Sequence, residues 1–509
     1  MAVLESGALR RLMRTSVNTL ELSRLTDALD DRLAGVERDG PDVPVTGLTG
    51  DSRTARRGDL FVAASGSRCD GLDYVQDALD QGATAVLSDR RVALPEHVGS
   101  IRVKDIARAR AIVAEHFFGS PSQRLDTVGI TGTNGKTTTA FLLRSMLTMD
   151  GRGNGLVGTL GAWLGNTHEP LANTTPDAIE LQRLLARMVD DNLETAVMEV
   201  SSHALCQHRV DGVAFDVGVF TNLTPDHLDY HGTMEAYGAA KAKLFEELSE
   251  DATAVLNASD PASRILRLST RARVLHYGID DPADVRGRIT RLDAEGSAFH
   301  LTAPEFGLDE HVHCRLVGRH NVMNALAASA AALALGLPPA AVTTGLQGLP
   351  AVPGRLQPVE CGQDFRVFVD YAHTPDALEQ VLALLRPLTR GSLHVVFGCG
   401  GDRDRTKRPA MGAAVAKSAD RLYVTSDNPR TEPPEDILDE ILEGIPDGRS
   451  ADVLRDADRR AAIAAALGAA RGGDIVLIAG KGHETTQTVG EQTLPFDDNE
   501  VAREVLWTL

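Results

Sequence analysis

Residues 132–138, which read GTNGKTT, have the composition and context of a phosphate-binding loop. They follow the apolar run 128–130 and lead into an apolar helical pattern that starts at Ala140. Glycines let backbone N–H groups approach phosphate oxygens without a Cβ clash, and a helix N-terminus adds positive potential. The ammonium of Lys136 can then reach the β- and γ-phosphates of a nucleotide, and the hydroxyl of Thr137 can bind Mg²⁺.

The phosphate-loop pattern is incomplete at one position. Ile130 stands five residues before Gly135, where the standard pattern has a glycine. The order of strand, glycine loop and helix compensates, so we predict a nucleotide site here. The alternative is a glycine-rich turn that carries a solvated lysine.

A carboxylate and a group of aspartates and histidines form a second candidate site. Glu199 lies near the end of the apolar run 195–200, and a buried glutamate is costly unless it is paired or bound to a metal. Residues 222–231, NLTPDHLDYH, follow another predicted strand and read either as a ligand-rich segment or as a solvated polar loop. Lys241 lies in the helical pattern that comes next, where a lysine usually keeps its charge in solvent.

These segments are carried by strands that alternate with helical patterns. We predict an α/β fold of three domains: residues 1–123, residues 124–350 and residues 351–509. The first has strands at 58–66 and 83–89 and a helix at 73–81, and a polar linker follows at 120–126. In the second domain the predicted strands are 126–131, 195–200, 216–222 and 253–257, and an alanine-rich helix covers 321–335. The third alternates again, so both larger domains are expected to contain mostly parallel sheets.

Composition restricts the class of protein. The chain of 509 residues has 52 Lys and Arg against 71 Asp and Glu, a formal charge of -19, which disfavours nucleic acid and anionic membranes as partners. The five cysteines include no CxxC pair, so we expect reduced thiols and a cytoplasmic protein. Apolar runs are too short for a signal peptide or a transmembrane helix, so we expect no membrane insertion.

Taken together, the motifs resemble those of the Mur ligase family, and the resemblance covers nearly the whole chain. The matching segments, in family order, are GTNGKTT (132–138), MEVSSHAL (198–205), TNLTPDHLDYHGTM (221–234), HNVMNA (320–325), PGR (353–355) and DYAHTPDAL (370–378). The resemblance implies that ATP activates a substrate carboxylate as an acyl phosphate, and that an incoming amine attacks it to give an amide, ADP and phosphate. The nearest members add diaminopimelate to the UDP-N-acetylmuramoyl dipeptide, a cytoplasmic precursor of peptidoglycan. Their cofactors would be ATP and Mg²⁺, and we expect a monomer.

The resemblance also assigns roles to residues. The implied ATP contacts are Gly132, Thr133, Asn134, Gly135, Lys136, Thr137, Thr138 and Arg355. The implied magnesium ligands are Thr137, Glu199, His227 and a carbamylated Lys241. The implied catalytic residues are Lys136, Glu199, His227 and Lys241. Carbamylation is physically reasonable, because it turns a cation into an oxygen ligand that a hard cation prefers.

The two remaining substrates have implied contacts of their own. The UDP precursor would bind Gly50, Ser52, Ser67, Arg68, Cys69, Asn173, Thr174, Thr175, Ser201, Gln207 and Arg209. A histidine that the family has near its uridine site is replaced here, since the segment reads Asp70-Gly71-Leu72. Diaminopimelate would bind Arg403, Asp427, Asn428, Pro429, Arg430, Gly480 and Glu484. The Arg430 guanidinium can hold the distal carboxylate of diaminopimelate and would repel the ammonium of lysine.

Several alternatives stay open at this point. On the same scaffold, the chain could be a lysine-adding ligase, a folylpolyglutamate-type ligase or a pathway-specific paralogue. From another class, it could be a binding protein that uses ATP as a switch. The diaminopimelate stereoisomer, LL or meso, is likewise open.

Overall fold

A five-stranded sheet near the N-terminus has helices on both faces. In this computed structural model, which describes residues 19–66, 69–280 and 282–509, its strands lie in the order Glu37–Asp39, Gly99–Arg102, Ala85–Ser88, Asp59–Ala63 and Gly47–Thr49. All neighbouring pairs are parallel except the first, and a separate two-stranded pair joins Leu20–Glu21 to Pro44–Val45.

Side chains of this sheet alternate between its two faces, as the period of a strand requires. Leu60 and Val62 pack into one core with the helices Leu22–Asp30 and Ile106–Phe117. The side chains between them pack on the other face with the helix Val75–Asp80.

The central sheet has eleven strands, and the strand that leads into the phosphate loop lies in its interior. Across the sheet the strands are Thr167–Glu169, Gly161–Leu164, Asn154–Gly158, Thr195–Glu199, Asp126–Thr131, Val217–Phe220, Thr253–Asn257, Arg273–Ile279, Val285–Asp293, Gly296–Ala303 and Leu308–Cys314. Those from Asn154–Gly158 to Val285–Asp293 are parallel. Their carboxyl ends meet at one edge, so Thr131, Glu199 and Phe220 end side by side. The helices of this region are Lys136–Met149, Ala178–Asp190, Ser202–Cys206, Leu228–His231, Met234–Glu246, Ala262–Ser269, Arg319–Ala334 and Pro339–Gly348.

The third sheet has six strands, again with helices on both faces. Its order is Gln357–Pro358, Arg366–Asp370, Ile475–Ala479, Leu393–Phe397, Arg421–Val424 and Val453–Arg455, all parallel except the first. On one face lie the helices Pro375–Leu385, Lys407–Ser418 and Pro434–Leu442, and on the other Arg459–Ala469 and Asp498–Thr508. A hairpin of Thr486–Val489 and Gln492–Pro495 follows the strand Ile475–Ala479.

Backbone contacts divide the chain into two compact units. The first unit contains the chain up to Gly287 together with two later segments, Leu301–Glu310 and Met323–Leu346. The second unit contains Arg288–His300, His311–Val322 and Gln347–Leu509. The three α/β sheets confirm the predicted fold class, while the predicted domain limits stay predictions. None of the helices in the described part of the chain has the length and apolarity needed to cross a membrane.

The linker predicted at 120–126 is not an extended connection. Residues Pro121–Arg124 form a short 3₁₀ helix in which Pro121 and Ser122 are buried. The Ser122 hydroxyl accepts a hydrogen bond from the backbone N–H of Ala214 at 3.1 Å. Polar residues read as a linker here because sequence alone does not reveal that tertiary contact.

Candidate active site

The glycine loop adopts a backbone that other residues could not fill. Gly132 and Gly135 have φ values of +144° and +87°. A Cβ on Gly132 would lie 1.9 Å from Thr221 Oγ1, and one on Gly135 would lie 2.2 Å from Asn324 Oδ1. The predicted loop is therefore present between the strand Asp126–Thr131 and the helix that begins at Lys136.

Residues after the neighbouring strand hold this loop in shape. The backbone N–H of Asn134 donates to Asn222 Oδ1 at 3.0 Å, and its carbonyl accepts from Thr221 Oγ1 at 2.6 Å. The hydroxyl of Thr133 pairs with the Tyr237 hydroxyl at 3.2 Å. The supporting role of Tyr237 was not predicted, because the sequence gives it only as an apolar helical position.

Two lysine ammonium groups meet at the loop. Lys136 Nζ donates to the carbonyl oxygens of Gly132 and Thr133 at 2.9 and 2.8 Å. Lys241 Nζ donates to the same Gly132 oxygen at 2.9 Å and lies 4.3 Å from the centre of the Tyr237 ring. The loop edge therefore holds the Lys136 ammonium, and a site for a polyphosphate needs positive charge of this kind.

Lys241 is 2% exposed, so the common expectation of a solvated helical lysine is wrong here. Burial lowers the pKa of its ammonium well below the ordinary value, and the nearby charge of Lys136 lowers it further. A lysine in this environment is more readily neutral than one in solvent. A neutral amine is the form that can react with carbon dioxide to give a carbamate.

The Glu199 carboxylate is fully buried beside the first turn of the phosphate-loop helix. Its Oε2 accepts from the hydroxyls of Thr137 and Thr159 at 2.9 and 3.0 Å, and its Oε1 accepts from the Thr159 backbone N–H at 2.9 Å. These donors are all neutral, so they do not cancel its charge. A hard cation fits this set of hydroxyl and carboxylate oxygens. Thr137 and Glu199 lie within hydrogen-bond distance of each other, and their shared role as magnesium ligands stays a prediction.

His227 lies in a group of aromatic and histidine side chains rather than against Glu199. Its ring centre is 4.9 Å from that of His203 and 6.3 Å from that of Tyr237, the residue under Lys241. His227 also has a left-handed backbone, with φ of +52°. Within the described residues, no three or more His, Cys, Asp or Glu side chains are arranged to hold a metal.

A polar network connects the predicted precursor contacts to the Glu199 strand. Thr175 Oγ1 donates to the Glu199 carbonyl at 2.8 Å and accepts from the Ser201 backbone N–H at 3.1 Å. Arg209 donates to the Thr175 carbonyl and, through Nε and Nη2, to Gln207 Oε1. Thr174 is joined to the same region through a 3.1 Å contact of its hydroxyl with Thr159, and Asn173 beside it is exposed. Five of these six predicted residues are thus brought together.

The predicted uridine contacts are less clearly grouped. Gly50 is exposed, with open space where a Cβ would stand, and Ser52 is buried at the start of the 3₁₀ helix Ser52–Thr54. Cys69 is exposed. Ser67 and Arg68 lie outside the described residues, so their predicted contacts are untested.

The loop 427–430 of the third sheet is fixed by the hairpin that follows. Arg430 has a left-handed backbone with φ of +52°, which costs about 1 kcal/mol or more for a non-glycine residue. Its N–H donates to the Thr488 carbonyl at 3.1 Å, and its carbonyl accepts from the Gly490 N–H at 2.7 Å. Gln487 Nε2 donates to the Asp427 carbonyl at 2.7 Å. These bonds stabilise the unusual backbone, so that Pro429 and Arg430 are presented at the strand ends.

The side chains of the loop 427–430 lie next to two other loops, one that contains Gly401 and one that contains Gly480 and Glu484. Arg430 Nη1 donates to the Gly401 carbonyl at 2.7 Å, and Asn428 Nδ2 donates to Glu484 Oε2 at 2.9 Å. Gly480 has φ of +115°, and a Cβ there would lie 2.8 Å from Asp427 Oδ2. Arg403 lies exposed two residues after Gly401. The residues predicted for diaminopimelate are thus gathered around three loops.

Arg355 lies in the second unit beside aromatic rings. Its guanidinium carbon is 5.3 Å from the Tyr371 ring centre, and that ring is 5.0 Å from the ring of His483. Burial, followed by the charge of Arg355, lowers the pKa of His483 to about 4. His483 is therefore neutral at physiological pH.

Comparison with known proteins covers nearly the whole chain. Three domain descriptions match: Mur ligase family, catalytic domain, at residues 44–118; Mur ligase middle domain at 130–332; and Mur ligase, glutamate ligase domain, at 354–482. The UDP-N-acetylmuramoyl-L-alanyl-D-glutamate--2,6-diaminopimelate ligase of Geobacillus thermodenitrificans is 45% identical over 481 residues, covering 93% of this chain and 97% of that protein. The enzyme of the same name from Bacillus cereus is 41% identical over 493 residues, covering 96% and 98%.

Solved structures agree with these similarities. The structure of a UDP-N-acetylmuramoyl-L-alanyl-D-glutamate--2,6-diaminopimelate ligase matches with a TM-score of 0.68 and 34% identity, covering 91% of this chain and 95% of that chain. A MurF ligase from Thermotoga maritima in complex with ADP matches with a TM-score of 0.59 and 21% identity, covering 91% and 96%. At that identity the second match shows the fold alone.

Proposed function

This chain belongs to the Mur ligase family, and from that we infer that it is an ATP-dependent ligase that adds diaminopimelate to UDP-N-acetylmuramoyl-L-alanyl-D-glutamate. The reaction consumes ATP, releases ADP and phosphate, and belongs to peptidoglycan precursor synthesis. The observation that carries this conclusion is the 45% identity to an enzyme of that name over 93% of the chain.

The phosphate loop supports activation of the precursor carboxylate. Both reactants are anionic, so the transfer of a phosphoryl group from ATP to the carboxylate needs positive charge at the developing negative oxygens. Lys136 supplies an ammonium above the loop, and backbone N–H groups at the helix N-terminus supply further donors. We assign the γ-phosphate contact to Lys136.

Thr137 and Glu199 are the residues that would hold one Mg²⁺, since their oxygens are 2.9 Å apart in a buried setting. When bound, Mg²⁺ neutralises phosphate charge and polarises the transferred group. A carbamylated Lys241, with Glu199 and His227, would hold the second ion. Burial lowers the pKa of Lys241, and this supports the assignment because carbamylation starts from the neutral amine.

The precursor is held on the Glu199 side of the central sheet in this proposal. Arg209 can bind a carboxylate of the peptide. The hydroxyls of Thr174, Thr175 and Ser201 can form hydrogen bonds with the polar groups of the peptide. The network that joins these residues, with Arg209 bound to Thr175 at 2.6 Å, supports their acting as one surface. Uridine contacts at Gly50, Ser52, Ser67, Arg68 and Cys69 stay a prediction.

Arg430 selects diaminopimelate in this proposal. A guanidinium binds a carboxylate through two parallel charge-assisted hydrogen bonds, and it repels the ammonium that ends a lysine side chain. Glu484 can accept from the ammonium of the distal amino-acid head. The Arg430 backbone is left-handed and is held by the hairpin. Strained backbone of this kind is concentrated at functional sites, which supports a role for Arg430 in binding diaminopimelate.

We also propose that the enzyme is a cytoplasmic monomer. ATP and a UDP-linked precursor are cytoplasmic substrates, and the five cysteines are all free thiols in the structure. Size-exclusion chromatography with light scattering measures the oligomeric state, and a mass near 54.3 kDa is expected.

The experiment that tests the reaction class is ADP release. We expect ADP release to require both the nucleotide dipeptide and diaminopimelate, because acyl transfer to an amine drives turnover. ADP release that is independent of both would favour the nucleotide switch, and release that requires dihydropteroate-type substrates with glutamate would favour the folylpolyglutamate reading.

A further inference from the structure

Lys481 carries a charged side chain that is fully buried beside the loop 427–430. Its exposed fraction is 0%. Its Nζ donates to Glu484 Oε2 at 2.9 Å and to Asn428 Oδ1 at 3.2 Å. An ammonium out of water is costly unless oxygen acceptors replace the solvent, so these two partners define its position.

The amide of Asn428 has its orientation fixed by the same contacts. Its Oδ1 accepts from Lys481 and from the Thr488 backbone N–H at 3.0 Å. Two donors at this atom require the carbonyl end of the amide, so Nδ2 points to Glu484 Oε2, 2.9 Å away. Lys481 and Asn428 therefore converge on one oxygen of Glu484, and neither of them occupies the other oxygen, Oε1.

We propose that Lys481 is a positioning residue for diaminopimelate, which holds the Glu484 carboxylate and the Asn428 amide so that Glu484 Oε1 receives the distal ammonium of the incoming amino acid. This inference deepens the proposed function and rests on it. Lys481 acts through Glu484 and Asn428, and it does not touch the substrate itself.

The electrostatics around Glu484 support this role. The charged and titratable groups that interact with it, from its own loop and from the elements packed against it, are Lys481, His483, Tyr371 and Arg459, and Asp427 acts on the last two of these. Burial by itself would raise the pKa of Glu484, but the charge and hydrogen bond of Lys481, with the hydrogen bond from Asn428, bring it below the ordinary value. Without Lys481, burial dominates and the pKa rises, so Glu484 becomes protonated as the pH falls through a higher value than in the wild type.

The test is Lys481→Met, with Lys417→Met as the matched control. The Lys417 side chain is 74% exposed on the helix Lys407–Ser418. Its substitution removes the same charge at a position away from the site. With ATP and precursor saturating, we expect KM for diaminopimelate to rise on the order of 30-fold or more in Lys481→Met, while KM for ATP is unchanged. The acid limb of kcat/KM for diaminopimelate should move to higher pH. A folded Lys481→Met enzyme with wild-type KM and an unmoved acid limb would overturn the inference.

A double variant separates positioning from a general structural role. If Lys481 acts through Glu484, then adding Lys481→Met to a Glu484→Gln enzyme should raise KM for diaminopimelate by less than about threefold. An equal loss in both backgrounds contradicts the proposal. Should Lys481→Met not fold, Lys481→Arg keeps the cation, so its acid limb should stay at the wild-type pH, and a shift would overturn the proposal.

The outcomes also distinguish this inference from the function beneath it. A wild-type enzyme that does not use diaminopimelate contradicts the proposed function. A wild-type enzyme that uses it, together with variants of Lys481 that keep its KM and pH profile, contradicts the role of Lys481 alone.

Discussion

Replacing Arg430 by alanine should weaken diaminopimelate use and leave ATP use intact. Losing a charge-assisted pair that is shielded from water costs roughly 2–5 kcal/mol. Arg430 is only half-buried, which places the loss at the low end, about 2–3 kcal/mol. At about 1.36 kcal/mol per factor of ten, this is about 30- to 160-fold in kcat/KM. The backbone strain is the same for both residues, because alanine also carries a Cβ at φ of +52°.

The assay is phosphate release with diaminopimelate varied and with ATP and precursor saturating. Arg421→Ala is the control, since Arg421 is an exposed arginine at the opposite end of the strand that leads to this loop. We expect the control to stay within about twofold of the wild type. Undiminished kcat/KM in Arg430→Ala, or a wild-type enzyme that accepts lysine as well as diaminopimelate, would refute the assignment.

Four further predictions follow from the structure. Lys136→Ala should lower kcat by about a thousandfold with an unchanged circular dichroism spectrum, and wild-type turnover would remove the phosphate-loop assignment. Lys241→Ala should lose most activity and recover part of it with added formate; a free amine beside an occupied magnesium site in a crystal would contradict carbamylation. Gly135→Ala places a Cβ 2.2 Å from an asparagine oxygen, so KM for ATP should rise at least tenfold, about 1.4 kcal/mol, in a titration of initial rates. Arg459→Met leaves the fully buried Asp498 carboxylate without its partner, so chemical denaturation should show a loss of about 3–5 kcal/mol; a loss below about 1 kcal/mol would contradict that reasoning.

The positions of the strands, and of the polar residues that follow them, were predictable because each strand is an apolar run with a polar or glycine end. The predicted strands 126–131 and 253–257 coincide with Asp126–Thr131 and Thr253–Asn257. The strand predicted at 216–222 is shorter, Val217–Phe220, because Thr221 and Asn222 turn away to hold the phosphate loop. Glu199 was expected to be buried and to need partners, and it has them.

Other features depend on contacts between distant segments and could not be predicted from local pattern. Lys241 was expected to keep its charge in solvent, yet it is buried, and Lys481, for which the sequence provides no expectation, is buried as well. The left-handed Arg430 is stabilised by a hairpin nearly sixty residues later, and no local rule places an arginine there. His227 was assigned by resemblance, and its position among aromatic rings leaves that role a prediction.

The measurement that tests the central claim most directly is the mass of the product formed from UDP-N-acetylmuramoyl-L-alanyl-D-glutamate, ATP, Mg²⁺ and an equimolar mixture of LL-diaminopimelate, meso-diaminopimelate, lysine and glutamate. We predict one product, with the mass of the precursor plus diaminopimelate minus water, formed together with one ADP per amide. Separate incubations with each stereoisomer identify the one used. A product that contains lysine or glutamate, or ADP released without any new amide, would contradict the account.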